Sequence, residues 1–158
     1  MDVETARLVL HLITPTEARR IVARSPVGAD LWHADYPLHD ELAPLSSLAA
    51  SGSTEGVFGL YQIRERTDGL AIGGIGFFGP PDEHGVVEVG YGLVRPARGR
   101  GLASEALGAL VQVAREHGAA AIVAETTTGN TASREVLIRS GFHEARRDGD
   151  TVVHLLDL

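Results

Sequence analysis

The chain has 158 residues, of which 44% are hydrophobic and 22% charged, and it carries a formal net charge of −7. This length and composition fit one globular domain over residues 1–158, and the acidic balance argues against nucleic-acid binding, which favours a basic surface. The chain contains neither cysteine nor lysine, so disulfides, thiolate catalysis, cysteine-bound metals, Walker-type phosphate loops and Schiff-base lysine chemistry are excluded.

The sequence shows no sign of a membrane or export segment. No apolar run approaches the roughly 18 residues that a membrane-spanning helix needs, and the beginning of the chain lacks the basic and then apolar layout of a signal peptide. We therefore expect a cytoplasmic protein that makes no membrane contact.

The first half of the chain is predicted to form one strand, two helices and then three consecutive strands. Thr14 and Pro15 are typical of an N-cap followed by the first residue of a helix, and Pro44 is expected to interrupt or restart the second helix. The Asp68-Gly69 turn joins two apolar runs as a hairpin. The predicted strands cover 8–13, 57–64, 70–78 and 86–94, and the predicted helices cover 16–24 and 40–50.

The second half is predicted to alternate helices with strands and to end in a hairpin. Apolar residues recur at helical spacing over 102–117, Gly141 is a favourable residue to follow a helix, and Asp148-Gly149 is a turn. The remaining predicted elements are a helix over 131–140 and strands over 121–126, 142–147 and 151–156. The whole order, βαα-βββ-α-β-α-ββ, indicates one mixed α/β sheet with helices on both faces.

The turn before the long helix, Arg98-Gly99-Arg100-Gly101-Leu102-Ala103, is the most informative stretch of the sequence. The amides of a helix's first turn have no intrahelical acceptor and, together with the helix dipole, favour a phosphate group. The two glycines allow an anion to approach the backbone closely, and the two arginines add charge and paired donors. The turn therefore predicts binding of a phosphorylated ligand.

A second glycine motif, Gly74-Ile75-Gly76-Phe77-Phe78-Gly79, matches the dinucleotide-binding pattern G-x-G-x-x-G. That pattern requires a strand followed directly by a helix. Here the motif lies inside a predicted strand and runs into Pro80-Pro81, which is turn sequence. We therefore interpret it as part of a strand and not as a nucleotide site.

Several short motifs in the second half of the chain support one another. The pattern Gln/Arg-x-x-Gly-x-Gly/Ala is met by Arg98, Gly101 and Ala103. Three further motifs are Glu88-Val89-Gly90-Tyr91, Ser104-Glu105-Ala106-Leu107, and Asn130-x-x-Ser133 leading to Gly141-Phe142. With these motifs the chain resembles the GCN5-related N-acetyltransferase (GNAT) family over essentially its full length, in the branch related to ribosomal-protein N-terminal acetyltransferases. The resemblance implies a single mixed, mostly antiparallel sheet that splays at an acyl-CoA site.

The resemblance also implies which residues contact acetyl-CoA, the expected co-substrate. Backbone amides over 99–104 would hold the pyrophosphate, and the main chain of Leu93 and Val94 would pair with the pantetheine arm. Asn130 is expected to cap its helix and to contact the pantetheine. The implied cofactor-binding residues are Leu93, Val94, Arg98, Gly99, Arg100, Gly101, Leu102, Ala103, Ser104, Asn130 and Ser133.

Acyl transfer to an amine needs a base for the amine and a proton donor for the leaving thiolate. Glu88 is the candidate base, acting through water, because it is a carboxylate among three valines in a predicted central strand. Alternatively, Glu88 pairs with a buried arginine or turns to solvent. Ser133 is the candidate acid, with CoA contact and helix capping as alternatives. Many family members carry a tyrosine seven residues after the asparagine; here that residue is Leu137, which cannot donate a proton.

The early helical region supplies the candidate acceptor pocket. As the resemblance implies, Trp32 and Tyr36 would line the pocket for the acceptor amine, although Trp32 could equally anchor a loop on the core. Several potential metal ligands lie in the same proline-broken loop without recognisable ligand spacing, so no metal is expected. These residues are His33, Asp35, His39 and Asp40.

Together with the resemblance, the sequence predicts an acetyl-CoA-dependent N-acetyltransferase that works by direct attack in a ternary complex. Its acceptor would be a protein or peptide N-terminus or a small-molecule amine, and no acyl-enzyme is expected because cysteine is absent. The alternative is a non-catalytic acyl-CoA-binding or sensing module on the same fold. A third and weaker interpretation is another phosphate-ligand enzyme, such as a nucleotide-sugar transferase. The protein is expected to be a monomer or a homodimer.

Overall fold

The computed structural model describes residues 1–53 and 56–158, and its strands form one sheet in the order β1-β2-β3-β4-β5-β6-β8-β7. β5 and β6 run parallel, and the other neighbouring strands run antiparallel. The sheet is therefore mixed and mostly antiparallel, as predicted. The strands are β1 (Asp2–Glu4), β2 (Leu8–Leu12), β3 (Leu60–Glu65), β4 (Ala71–Phe77), β5 (Val86–Leu93), β6 (Ala121–Thr127), β7 (His143–Asp148) and β8 (Thr151–Asp157).

Helices cover both faces of this sheet. They are α1 (Pro15–Val22), α2 (Leu42–Ser51), α3 (Leu102–Glu116) and α4 (Thr131–Arg139). The cross-strand register places His11 and Gly92 on one face, where Glu17 of α1 hydrogen-bonds His11. Tyr91 points to the opposite face, because side chains alternate along a strand, and Ser133 of α4 hydrogen-bonds it there. We call these the α1 face, which also carries α2, and the α4 face, which also carries α3.

The helix ends follow the signals in the sequence. The Thr14 Oγ1 accepts from the Glu17 amide at 3.1 Å, and the Glu17 carboxylate accepts from the Thr14 amide at 3.0 Å. This reciprocal capping box fixes the start of α1. At the other end of the chain, α4 ends before Gly141, whose φ is +93°, and the Phe142 amide donates back to the Leu137 carbonyl at 3.0 Å. The predicted cap at the start of α1 and the predicted glycine terminus of α4 are both confirmed.

Three details of the predicted elements were wrong. The strand expected from Val57 begins only at Leu60, because Gly56–Phe58 forms a 3₁₀ turn whose Val57 carbonyl accepts from the Tyr61 hydroxyl at 2.7 Å. Pro44 does not interrupt α2, since it lies in the first turn, where no amide is needed for an intrahelical bond. β1 was not predicted, because its three residues give too short a pattern.

The core lies between the sheet and its helices, and β4 is buried along its whole length. Gly74 and Gly76 lie within β4, so the interpretation of their motif as strand sequence is confirmed. Within residues 1–53 and 56–158, no helix combines the length and the apolar character that crossing a membrane would need.

Candidate active site

β5 and β6 separate halfway along their length. Their pairing runs from Val86 with Ala121 to Val89 with Ala124. Beyond that point the described part of β5 pairs with β4, and β6 pairs with β8. A cleft of about 1040 Å³ fills the opening and extends from the α1 face to the first turns of α3 and α4. The splay expected from the resemblance is therefore present.

The turn before α3 presents free backbone donors to this cleft. Gly99 and Gly101 have φ values of +78° and +79°, which only glycine adopts without strain. The Glu105 amide donates to the Gly101 carbonyl at 3.1 Å, so the amides of residues 102–104 have no acceptor within the helix. An added Cβ at Gly99 would meet no atom within 4 Å. The turn thus has the geometry of an anion site.

The two arginines of this turn point in different directions. The Arg98 Nε donates to the Leu93 carbonyl at 3.0 Å, which ties the turn to the end of β5, and Arg98 lines the cleft. Arg100 pairs with Glu65 on β3 at 2.6 Å, its carbonyl accepts from Arg7 at 2.8 Å, and its side chain is not part of the cleft lining. Of these two arginines, Arg98 brings positive charge to the cleft, while Arg100 fastens the turn to the sheet.

The main chain of β5 faces the opening at alternate residues. Both groups of Val94 are used within the protein, because its amide donates to Ile72 at 2.8 Å and its carbonyl accepts from Ala97 at 3.0 Å. The exposed main chain expected at Val94 is therefore not found, which corrects that part of the prediction. Antiparallel pairing turns alternate residues away from the partner strand, so Tyr91 and Leu93 direct their amides toward the opening.

Two hydroxyl groups meet at the start of α4. The Asn130 Oδ1 accepts from the Ser133 amide at 3.1 Å, so the predicted cap is confirmed. The Ser133 Oγ lies 3.1 Å from the Tyr91 hydroxyl, which also donates to the Ser133 carbonyl at 3.2 Å. Burial raises the pKa of Tyr91, so its phenol keeps its proton. Leu137 is buried in the core and offers no donor.

Glu88 stands on the α1 face of β5, at the point where the strands separate. Burial and the nearby Glu125 carboxylate raise the pKa of Glu88. Among the residues that the structure describes, no hydrogen bond or ion pair engages its carboxylate. The alternative in which Glu88 pairs with a buried arginine is therefore not supported by the described residues. Glu88 lines the cleft as a free carboxylate.

A second carboxylate, Glu41, reaches the cleft from the turn before α2. Its Oε2 accepts from the Leu38 amide at 2.9 Å, and its Oε1 lies over Gly74, where an added Cβ would overlap it. Burial, with a smaller contribution from Asp40, raises the pKa of Glu41 to about 7. Neither Glu41 nor Tyr91 was predicted from the sequence as a site residue. An acid at the start of a helix is ordinarily a solvated first-turn residue, and Tyr91 was visible only as part of a motif.

Trp32 and Tyr36 lie outside the lining of the cleft. Their rings pack edge to face with centroids 5.8 Å apart, Tyr36 is 4% exposed, and the Trp32 backbone bridges to Ala71 of β4. The structure places both residues against the core. Among the described residues, no group of three or more histidine or carboxylate side chains is placed to hold a metal ion.

Comparisons with known proteins identify the family of the chain and solved structures with a similar fold. The model of the acetyltransferase (GNAT) domain family matches residues 7–143. An acetyltransferase from Agrobacterium tumefaciens aligns with 100% of this chain and 95% of its own, at 24% identity and a TM-score of 0.69. The ribosomal-protein-S5-alanine acetyltransferase of Vibrio fischeri aligns with 99% of this chain and 96% of its own, at 16% identity and a TM-score of 0.69. No curated protein gave a significant match.

Proposed function

The chain belongs to the GNAT acetyltransferase family, and we propose that it transfers an acetyl group from acetyl-CoA to an amine by direct attack in a ternary complex. One observation carries the proposal: the opening between β5 and β6 is flanked by free amides at the start of α3 and by the free carboxylate of Glu88. A phosphorylated thioester fits the first feature, and proton removal from an amine fits the second.

The CoA moiety is held mainly by backbone in this proposal. The amides of residues 102–104 and the Arg98 guanidinium bind the pyrophosphate. The outward amides of Tyr91 and Leu93 pair with the pantetheine arm, which needs backbone-like partners. Asn130 and Ser133 flank the same arm at the start of α4. The Val94 main chain takes no part, because both of its groups are already bonded.

The chemistry proceeds in one bond exchange. The neutral amine nitrogen attacks the thioester carbonyl carbon, a C–N bond forms and the C–S bond breaks. Glu88 takes a proton from the attacking nitrogen through water. Ser133, which is hydrogen-bonded to Tyr91, passes a proton from solvent to the leaving sulfur, so that its own hydroxyl is restored. The pKa of a thiol like that of cysteine is about 8.5, so this protonation lowers the barrier only modestly.

The acceptor is an amine of a peptide or of a small molecule. Acidic side chains outnumber arginines in the lining of the cleft, and the whole chain carries a net charge of −7. The acids are Asp40, Glu41, Glu88, Glu125 and Glu135, and the arginines are Arg98 and Arg139. An acidic cleft concentrates cations, so an acceptor that arrives as its ammonium ion is favoured. The protein acts as a monomer or a homodimer in this proposal.

The direct test is release of free CoA thiol by the purified protein. Acetyl-CoA is supplied with tri-alanine, n-butylamine or no amine, and thiol is followed over pH 6–10. We expect release that depends on at least one amine. Binding of acetyl-CoA without release above the amine-free control for any acceptor would instead identify a non-catalytic acyl-CoA-binding module.

A further inference from the structure

Glu41 is a half-buried carboxylate with one oxygen free. The Leu38 amide holds its Oε2 at 2.9 Å, which fixes the side chain against the turn. The Oε1 lies over Gly74 in the lining of the cleft, and a Cβ at Gly74 would overlap this oxygen and displace the carboxylate. A carboxylate that is held by one oxygen and open at the other is oriented to accept a proton or an N–H donor.

The charges around Glu41 leave it without a cationic partner among the described residues. Asp40, on the same turn, raises its pKa. From the preceding loop, Tyr36 lies near it, and burial together with the Glu41 charge raises the pKa of that phenol. Arg64 of β3 lies 4.0 Å from Glu17 of α1, so its guanidinium pairs with that acid and not with Glu41.

Glu41 and Glu88 stand at separate places on one face of the sheet. Gly74 pairs with Gly92 across β4 and β5, and Glu88 lies four residues before Gly92 on β5. At about 3.3 Å per residue, the two positions are roughly 13 Å apart. Gly76 and Gly90 pair between them, and the side chains of Leu60 and Phe78 pack over these two glycines in the lining of the cleft. The two carboxylates therefore cannot act on one proton at one position.

Acetylation of an ammonium ion removes two protons from its nitrogen. The first must leave before attack, since an ammonium nitrogen has no lone pair. The second leaves once the C–N bond has formed, and it is balanced by the proton that the leaving sulfur takes up. Two separate proton acceptors along the path of the amine fit these two steps.

We propose that Glu41 is the catalytic residue that receives the acceptor as its ammonium ion and takes the first proton, before the neutral amine moves along the cleft to the thioester. Glu88 then takes the second proton, as described above. The inference rests on the proposed acetyl transfer. The raised pKa of Glu41, about 7, suits a base that works near neutral pH.

The test is the pH dependence of kcat/KM for tri-alanine in the wild type, in Glu41→Gln and in the matched control Glu116→Gln. Glu116 is an exposed acid at the end of α3, bonded to Gln112. In the wild type, protonation of Glu41 below a pKa of about 7 blocks the first step, so the rate falls as pH drops through 7. Without Glu41, the acceptor has to lose its first proton in solution. The pH below which kcat/KM falls then moves up to about 8, the pKa of an α-amino group.

We expect Glu41→Gln to lose at least tenfold in kcat/KM at pH 7, to recover to within about threefold of the wild type at pH 9.5, and to keep its affinity for CoA. Glu116→Gln should follow the wild-type profile. Gly74→Ala provides a second variant, because the added methyl group displaces the Glu41 carboxylate without removing it. This variant should also raise the pH below which kcat/KM falls. A Glu41→Gln profile identical to the wild type would overturn the role of Glu41 and leave the transferase standing. A wild type that acetylates no amine would overturn both.

Discussion

At the scale of single residues, the free carboxylate of Glu88 gives the sharpest prediction. Glu88→Gln keeps the size and the hydrogen-bonding capacity of the side chain but cannot accept a proton. Because a general base typically contributes 10²- to 10⁴-fold, we expect kcat at neutral pH to fall by about that factor. Isothermal titration should show CoA affinity unchanged, since Glu88 lies on the α1 face of β5 and α3 packs on the α4 face. A variant with the wild-type rate would show that this carboxylate is structural.

The paired hydroxyls of Ser133 and Tyr91 give a smaller expected effect. They lie 3.1 Å apart at the start of α4, where Leu137 offers no proton. We expect Ser133→Ala and Tyr91→Phe each to lower kcat by roughly tenfold, because a thiol with a pKa of about 8.5 leaves readily without help. Steady-state kinetics separate the alternatives. A rise confined to the KM for acetyl-CoA would make Ser133 a cofactor contact and leave water as the proton donor.

At the scale of elements, the start of α3 is the part on which CoA binding depends. Gly101→Val places a β-branched side chain at a φ of +79° and beside the free amides. CoA affinity should fall at least tenfold, which is about 1.4 kcal/mol. Gly108→Val, on the exposed side of the same helix, is the matched control and should bind CoA as the wild type does. Equal affinity in folded Gly101→Val would remove the turn from the site.

Substitutions of the two arginines of that turn are expected to change different properties, CoA binding for Arg98 and thermal stability for Arg100. Arg98→Gln should weaken CoA binding, and the difference from the wild type should shrink at high salt, because exposed charge contacts are screened. Arg100→Gln should instead lower thermal stability slightly, since its ion pair with Glu65 is half-exposed on the arginine side and such pairs contribute about 0–1 kcal/mol. Similar losses of CoA affinity in both variants would contradict this division.

Much of the fold could be predicted because its signals are local. The Thr14 cap, the Gly141 terminus and the two hairpin turns are each set by residues within a few positions of one another, and they fixed most elements to within one or two residues. Val57 was assigned to a strand because its pattern is apolar, whereas its carbonyl is held by Tyr61 in a turn. β1 depends on pairing with β2, which the short segment itself does not indicate.

The site was predictable where chemistry follows from a motif and not where it follows from distant contacts. The α3 turn and the position of Glu88 could be derived from adjacent residues. Arg100, however, turns to Glu65, 35 positions away, and Tyr91 meets Ser133, 42 positions away. The direction of such side chains depends on strand order and register. Glu41 was missed for the same reason, because its place over Gly74 exists only in the folded sheet.

For the molecule as a whole, the splayed sheet is proposed to be an acetyl-transfer site and not only a binding site. Mass spectrometry of tri-alanine and n-butylamine after incubation with isotopically labelled acetyl-CoA tests it most directly. We predict that the label appears on the nitrogen of at least one amine, in an amount that matches the CoA thiol released and depends on Glu88. Tight binding of acetyl-CoA with no labelled amine would show that the cleft binds acyl-CoA without transferring the acetyl group.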